Sequence, residues 1–347
     1  MSSNNISNIE QLLNALDDLL RDCDRLLIVM HNNPDPDSMA SALALRAFVK
    51  KRSNSRVSIG YEGIVGRAEN RALVKICNIP LKRLNRIRIK SYDRIVLLDT
   101  QPGARNNSLP ENTQCDLVID HHPRRRGLDA RYALIEDKVG ATATLMIELL
   151  NQAEIPYTAD LATSLAYAIR SETQDLGRET SPRDIKSYFH VYARASMKKL
   201  SRITRPKLEK EYFIALTKTL QKARTFRNLI CSHVGDIYNP DLVAEMADFL
   251  LRQERISWTL VTGRFKGDLF LSIRSSNKGA KAGELIKKIV PDSNQAGGHD
   301  HFAGGKVGEL SKDEMDKLET SLSSQFAERL GYKSVDWKPL LSEKERS

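Results

Sequence analysis

Leu26-Leu27-Ile28-Val29-Met30-His31-Asn32-Asn33-Pro34-Asp35-Pro36-Asp37-Ser38 is the stretch from which the fold reads outward. Five apolar residues without a break suit a strand buried on both faces of a parallel sheet. The run stops at a histidine, and a turn holding two prolines carries Asp35 and Asp37. Proline fixes φ and donates no backbone hydrogen bond, so this turn is stiff. Ser38 is expected to cap an apolar helix over 39–49. One imidazole and two carboxylates thus gather at the carboxyl end of a strand, where open α/β sheets bind their ligands. Nitrogen and hard oxygen donors suit Mn²⁺, Mg²⁺ or Zn²⁺. Taken alone, the stretch reads equally well as a solvated turn.

The same ending recurs twice. Arg94-Ile95-Val96-Leu97-Leu98 runs into Asp99-Thr100, and Asp116-Leu117-Val118-Ile119 runs into Asp120-His121-His122. Chance would scatter Asp and His over both ends of the strands, so three such endings favour a metal site. Around them the spacing predicts helices over 8–23, 68–77, 141–153 and 160–169, and strands over 57–61 and 132–135. Ser171 to Asp175 is either a helix end meeting solvent or a fourth acidic contribution, and the pattern alone favours the helix end. Residues 181–221 are helical and highly charged, a connector with an exposed basic face. A second α/β pattern follows, with strands over 229–234, 256–261 and 269–273 and helices over 240–251 and 282–290. Residues 295–305 read as a loop. Ser311 with Glu314 is a capping box for the last helix, and a polar tail follows Tyr332.

At 347 residues the chain exceeds a typical single core, which predicts two domains. Its 41% hydrophobic content supports globular cores, and no apolar run approaches a membrane span. The polar N-terminus lacks the features of a secretory signal, and Cys23, Cys77, Cys115 and Cys231 lack paired spacing. Both points predict a cytoplasmic protein with reduced thiols. The net charge of +10 and pI near 9.3 favour an anionic partner. Basic residues gather at 82–94, 124–126 and 198–210, while aromatics are only 6% and form no stacking array. Phosphate attraction is therefore favoured over base reading. Glycines 297, 298, 304 and 305, with His299 and His301, read as a backbone nest for an anion or as a mobile surface loop. Arg274, closing a strand, suits phosphate through its planar fork.

His31-x-x-x-Asp35-x-Asp37 with Ser41, then Leu97-Leu98-Asp99-Thr100, then Asp120-His121-His122 resemble the first three motifs of the DHH phosphoesterases. Gly297-Gly298-His299 with Ala303-Gly304-Gly305, preceded by Ser272-Ile273-Arg274-Ser275, is similar to the substrate-binding domain that commonly follows them. The resemblance spans about residues 20–310 with every motif in order. It implies an α/β protein: a parallel-sheet N-terminal domain over 1–195, a helical connector over 196–225 and a smaller α/β C-terminal domain over 226–332. A cleft between the domains and a tail over 333–347 complete that expectation.

The resemblance also implies a hydrolase of phosphoester bonds with two divalent cations, Mn²⁺ before Mg²⁺. By it, His31 and Asp35 hold one cation, Asp37 and His121 the other, and Asp99 bridges them. Asp120 orients the histidines and His122 faces the scissile phosphate. Arg274, Ser275, Gly297, Gly298 and His299 would hold the substrate. Two departures stand out: Pro36 replaces a frequent glycine, and the fourth motif, usually Thr-Asp-Thr, reads Ser171-Glu172-Thr173. Glu172 is the aligned ligand and Asp175 the alternative. The implied substrates are short oligonucleotides or small nucleotides, as for nano-RNases and pAp phosphatases. Cyclic dinucleotide phosphodiesterases and RecJ-like single-strand exonucleases would use the same residues, and a nucleotide-binding regulatory module with a weakened metal site is the other class. No membrane partner is implied, and a homodimer is compatible with the family.

Overall fold

The computed structural model describes residues 4–298, 300–308 and 310–341. The chain divides into two compact units, Met1–Pro206 and Lys207–Ser347. Within the expected connector, the helix Met197–Thr204 belongs to the first unit and the helix Lys210–Lys222 to the second.

In the first unit seven parallel strands form one sheet: β1 (Asn4–Ile6), β2 (Arg25–Met30), β3 (Arg56–Tyr61), β4 (Leu81–Arg83), β5 (Arg94–Leu98), β6 (Leu117–Asp120) and β7 (Tyr132–Ile135). Their order is β1-β7-β6-β5-β2-β3-β4. The helices are α1 (Ile9–Leu20), α2 (Pro36–Arg52), α3 (Ala68–Ile76), α4 (Thr142–Gln152), α5 (Ala159–Glu172), α6 (Pro182–Tyr192) and α7 (Met197–Thr204). The apolar run of β2 is buried on both faces, as expected. Leu26, Ile28 and Met30 pack into a core with α1, α2, α4 and α5, while Leu27 and Val29 point to a smaller cluster with Leu84, Leu97, Cys115 and Ala130. Edge strands β1 and β4 went unforeseen, because three residues are too few to show alternation.

Ser38 is not the cap of α2. Asp35 holds that position, its Oδ1 accepting the Ser38 N–H at 2.9 Å, and Pro36 opens the helix. The physical reason is that proline's fixed φ and missing donor suit the first helical position, where no intrahelical partner exists anyway. All four cysteines are free and buried, and burial pushes the Cys77 and Cys115 thiols up to about 12. No helix among the described residues is long and apolar enough to cross a membrane.

The second unit opens with α8 (Lys210–Lys222). Then come β8 (Arg224–Phe226), β9 (Leu229–Asp236), α9 (Asp241–Leu250), β10 (Trp258–Phe265), β11 (Asp268–Ser275), α10 (Ala282–Ile289), β12 (Ala296–Gly298), β13 (Phe302–Val307), α11 (Lys312–Arg329) and β14 (Lys338–Pro339). The sheet order is β12-β13-β11-β10-β9-β8-β14, with β9 and β10 parallel and the other pairs antiparallel. Residues 296–298 and 302–305, expected in a loop, are therefore strands that extend the sheet. Glycine hides strands because it carries no side chain to alternate. Over residues 333–341 the chain is also tied down: Trp337 packs on the core and Lys338 pairs with Thr225. The capping box of Ser311 and Glu314 forms as read.

Candidate metal centre

The chain adds β3 and β4 on one side of β2 and then returns to place β5, β6 and β7 on the other. The loops leaving the carboxyl ends of β2 and β5 thus diverge, opening the crevice in which such sheets bind ligands. His31 follows β2, Asp99 follows β5, and Asp120 ends β6 with His121 and His122 behind it. Because β6, β5 and β2 are neighbours, with Leu98 paired to both Met30 and Ile119, these side chains arrive together. Asp35 and Asp37 come from the first turn of α2, and Glu172 is the last residue of α5.

Asp99 is the centre. Its Oδ2 lies 3.5 Å from His31 Nε2, and its Oδ1 lies 3.6 Å from His121 Nε2. Asp35 Oδ1 is 3.5 Å from the same nitrogen of His31, and Asp37 Oδ2 is 4.0 Å from that of His121. Asp99 has φ of +58°, a left-handed backbone that costs most residues roughly 1–2 kcal/mol and aspartate less. Its N–H still donates to Ile119 O at 3.0 Å, and Thr142 Oγ1 donates to its Oδ1 at 3.0 Å. Asp37 accepts the N–H groups of Thr142 and Ala143 at 2.7 and 2.8 Å. These are orphan donors at the start of α4, where the helix dipole favours a carboxylate by about 0.3–1 kcal/mol.

The tautomers follow from the partners. His31 Nδ1 is 2.9 Å from Asn32 O and His121 Nδ1 is 3.3 Å from Val139 O. A carbonyl only accepts, so both Nδ1 atoms carry a proton, and each Nε2 faces carboxylates. There it must hold either a second proton, as the Asp35 and Asp99 charges favour at His31 against its burial, or a cation. His121 Nε2 is buried without any hydrogen-bond partner. Lone pair against carboxylate is repulsive unless a proton or a cation lies between, and a divalent ion with nitrogen and oxygen ligands meets that need. The carboxylates say the same. Burial, with the charges of Asp99, Asp35 and Glu172, holds Asp37 well above the usual range. Burial, then Asp35 and Asp99, pushes Glu172 up to about 8. Burial opposes an ionised Asp35, yet the charge and hydrogen bond of His31 keep it below the usual range. The protein's own charges do not keep Asp37 and Glu172 ionised beside an ionised Asp35. The residues present therefore fit divalent cations.

His122 is arranged differently. Its Nδ1 is 2.8 Å from Asp120 Oδ1 and 3.6 Å from Asp99 Oδ1. The shorter contact commits the Nδ1 proton to Asp120, so this nitrogen is no metal ligand despite its closeness to Asp99. Burial would lower its pKa, but the Asp120 hydrogen bond and the charges of Asp99 and Asp120 raise it to about 9. Asp120 is in turn fixed by Gln101, whose Nε2 donates to Asp120 Oδ2 at 2.7 Å. Gln101 and Thr142 were not foreseen as members of the site. One lies in a turn and the other opens a helix, positions where polar residues are ordinary.

Asp175 stays outside the cluster. It is exposed, follows the left-handed residue Gln174, and pairs with Arg170. The second unit places Arg274 and Ser275 at the end of β11 and Gly297 and Gly298 in β12, while His299 lies outside the described residues. Arg274 is engaged: its Nε donates to Asp248 at 2.5 Å and its Nη1 to Ser272 Oγ at 2.6 Å. Ser275 Oγ donates to Ser257 O at 3.0 Å and accepts the Asn277 N–H. At Gly298 a Cβ would lie 2.2 Å from Phe302 O, so glycine there serves the tight hairpin.

Residues 25–169 match the DHH family, N-terminal domain, and residues 227–328 match the DHHA1 domain. The chain belongs to the DHH family. An uncharacterized protein of Methanocaldococcus jannaschii is 34% identical over 286 residues, covering 81% of this chain and 58% of that protein. The chain thus spans little more than half the length of that relative. The fold is shared with an exopolyphosphatase-related protein from Bacteroides fragilis, at a TM-score of 0.72 and 14% identity, covering 91% of this chain and 97% of the other. It is also similar to RecJ from Thermus thermophilus in complex with Mn²⁺, at a TM-score of 0.51 and 14% identity, covering 92% and 55% of the two chains.

Proposed function

We propose that this protein is a divalent-cation-dependent phosphoesterase that hydrolyses phosphodiester or phosphomonoester bonds of short oligonucleotides or small nucleotides, in the manner of nano-RNases and pAp phosphatases. One observation carries the reading: Asp99 belongs at once to a His31–Asp35–Asp99 group and to a group with His121. A single carboxylate shared by two donor groups is what a pair of cations requires. His31 and Asp35 are the ligands of one, Asp37 and His121 of the other, and Glu172 completes the second. Mn²⁺ is the preferred ion, in keeping with the family and with RecJ in complex with Mn²⁺.

Cations in such a site polarise phosphoryl oxygens and lower the pKa of water. The remaining work falls to side chains. Asp120 holds the His122 imidazole in one orientation, leaving Nε2 directed away from its partner and able to hold a proton for a phosphate oxygen or a leaving group. The α4 N–H groups and Thr142 keep Asp37 and Asp99 in place.

The test is turnover of 5′-labelled di- to decanucleotides, cyclic dinucleotides and pAp with Mn²⁺, alongside Mn²⁺ titration calorimetry. Two Mn²⁺ per chain and hydrolysis of at least one of these substrates are expected. Binding of nucleotide with no hydrolysis would favour a regulatory module instead.

A further inference from the structure

Of the loops at the carboxyl edge of the first sheet, two carry arginines that the metal centre does not use. Arg124, Arg125 and Arg126 follow β6 directly after His122-Pro123, and Arg105 lies in the loop after β5. All four are exposed, and none pairs with a carboxylate among the described residues. Several other arginines of this unit are paired: Arg52 with Asp17, Arg83 with Glu62, Arg131 with Asp18, and Arg183 with Glu136 and Glu148. Arg21 and Arg56 lie exposed and are likewise unpaired with a carboxylate among the described residues. Four unneutralised guanidinium groups at one edge repel one another, an arrangement that an anion relieves.

The segment is anchored through its backbone at Arg125. Gln101 Oε1 accepts the Arg125 N–H at 2.9 Å, and Gln101 Nε2 donates to Asp120 Oδ2 at 2.7 Å and Pro123 O at 3.2 Å. One glutamine therefore ties the triple-arginine segment to the Asp120–His122 pair. On the other side Asn106, next to Arg105, accepts the Asn32 N–H and the Thr100 hydroxyl, the latter at 2.6 Å. Arg105 is thereby tied to the residues flanking His31 and Asp99. Two Cα–Cα steps put Arg124 at most about 7.6 Å from His122, and four put Arg126 at most about 15 Å away. All three arginines thus lie within chain reach of the metal centre.

Resting on the reading of this site as a phosphoesterase, we propose that Arg124, Arg125 and Arg126, with Arg105, form a platform for the non-scissile phosphates of a chain substrate. The substrate class is then a linear chain of several phosphates, of which an oligonucleotide is the first source and inorganic polyphosphate the second. Arginine forks match phosphate oxygens two at a time, and such contacts set position without reading bases. The scarcity of aromatics fits the same mode of binding.

The experiment measures fluorescence anisotropy of 5′-labelled single-stranded di-, tetra- and octanucleotides bound to the full chain in EDTA, across a salt series. Wild type is compared with R124A/R125A/R126A and R124K/R125K/R126K. Each phosphate contact contributes about −0.7 to the slope of log affinity against log salt on a single strand, so the alanine variant should lose about 2 from that slope on the octamer. The lysine variant should keep most of it, which separates charge from folding. Unlabelled inorganic polyphosphate should compete if the phosphate chain is what is read. Tight polyphosphate binding with no oligonucleotide binding would identify the source as polyphosphate. An unchanged slope in the alanine variant overturns the platform.

Turnover with Mn²⁺ gives a second readout, in which kcat/KM on the octamer should fall at least ~10-fold more than on bis(4-nitrophenyl) phosphate. Equal loss on both would also overturn the platform. If wild type binds with the expected slope yet hydrolyses nothing, the phosphoesterase reading fails and the platform stands. If it hydrolyses oligonucleotides while the alanine variant matches it in slope and KM, the reverse holds.

Discussion

Asp99 concentrates two demands on one residue, a left-handed backbone and a carboxylate between two imidazoles. Asparagine tolerates the same backbone and has nearly the same shape, so Asp99→Asn should fold with an unchanged unfolding midpoint. Its turnover should nonetheless fall by more than the ~10–100-fold that losing an outer-shell partner costs, because both cation groups share the lost charge. Near-normal turnover of the purified variant would sink the assignment. Glu172 and Asp175 give a sharper comparison. Glu172 feels the charges of Asp35 and Asp99, whereas Asp175 is turned to Arg170. Calorimetric titration of Glu172→Ala should show the second Mn²⁺ weakened, with Asp175→Ala like wild type. The opposite pattern would move the ligand to Asp175. Gln101 reaches no cation group, yet its amide fixes Asp120 and the chain beyond His122. Gln101→Leu should lower kcat by ~10–100-fold with both Mn²⁺ still bound, the signature of a positioning residue. Loss of Mn²⁺ stoichiometry would show that it supports the ligands instead.

At the scale of elements, the sequence told most where a strand ended and least where a residue worked through another. The buried run of β2, the Asp after β5 and the Asp-His-His after β6 are visible because strand periodicity and charge change abruptly together. The α2 cap was misplaced by three residues, since Asp35, Pro36 and Ser38 all suit a helix start and only geometry chooses among them. Contacts such as Thr142 to Asp99 join residues 43 apart, and no local pattern announces them. The approach of the α5 end to the α4 start is another such contact. At Gly140, just before α4, a Cβ would lie 2.5 Å from Glu179 O and 2.9 Å from Thr173 Cγ2. Both neighbours lie in the segment that follows Glu172. Gly140→Ala should therefore push that segment away, costing about 1–3 kcal/mol of stability and lowering turnover together. A urea midpoint equal to wild type would mean that the segment yields freely.

At the scale of the molecule, the hydrophobic clusters of the two units are drawn from separate stretches, and so are their titrating groups. The second unit holds a polar chain across its sheet. His233 Nδ1 is 2.8 Å from Thr262 Oγ1, Thr262 donates to Glu319 at 2.9 Å, and His233 Nε2 is 2.7 Å from Ser323 Oγ. Burial lowers the His233 pKa; Glu319 opposes this, while Arg224, Lys222 and Arg264 reinforce it. A histidine held neutral in the folded state binds fewer protons than in the unfolded chain, whose pKa is about 6.5. Stability from this group is therefore full above about pH 6.5 and is lost as pH falls below it. Divalent cations act elsewhere, stabilising the fold by about 2.7 kcal/mol at a hundred times Kd for one site. Amide hydrogen exchange on the full chain can separate the two effects. Mn²⁺ should slow exchange in β2, β5 and β6, whereas a drop from pH 7.5 to 5.5 should loosen β9, β10 and α11, after correction for intrinsic exchange. The acid response should vanish in His233→Gln, which keeps a donor and an acceptor but cannot titrate. Acid loosening of β9 and α11 that persists in that variant would place the sensitive group somewhere other than His233.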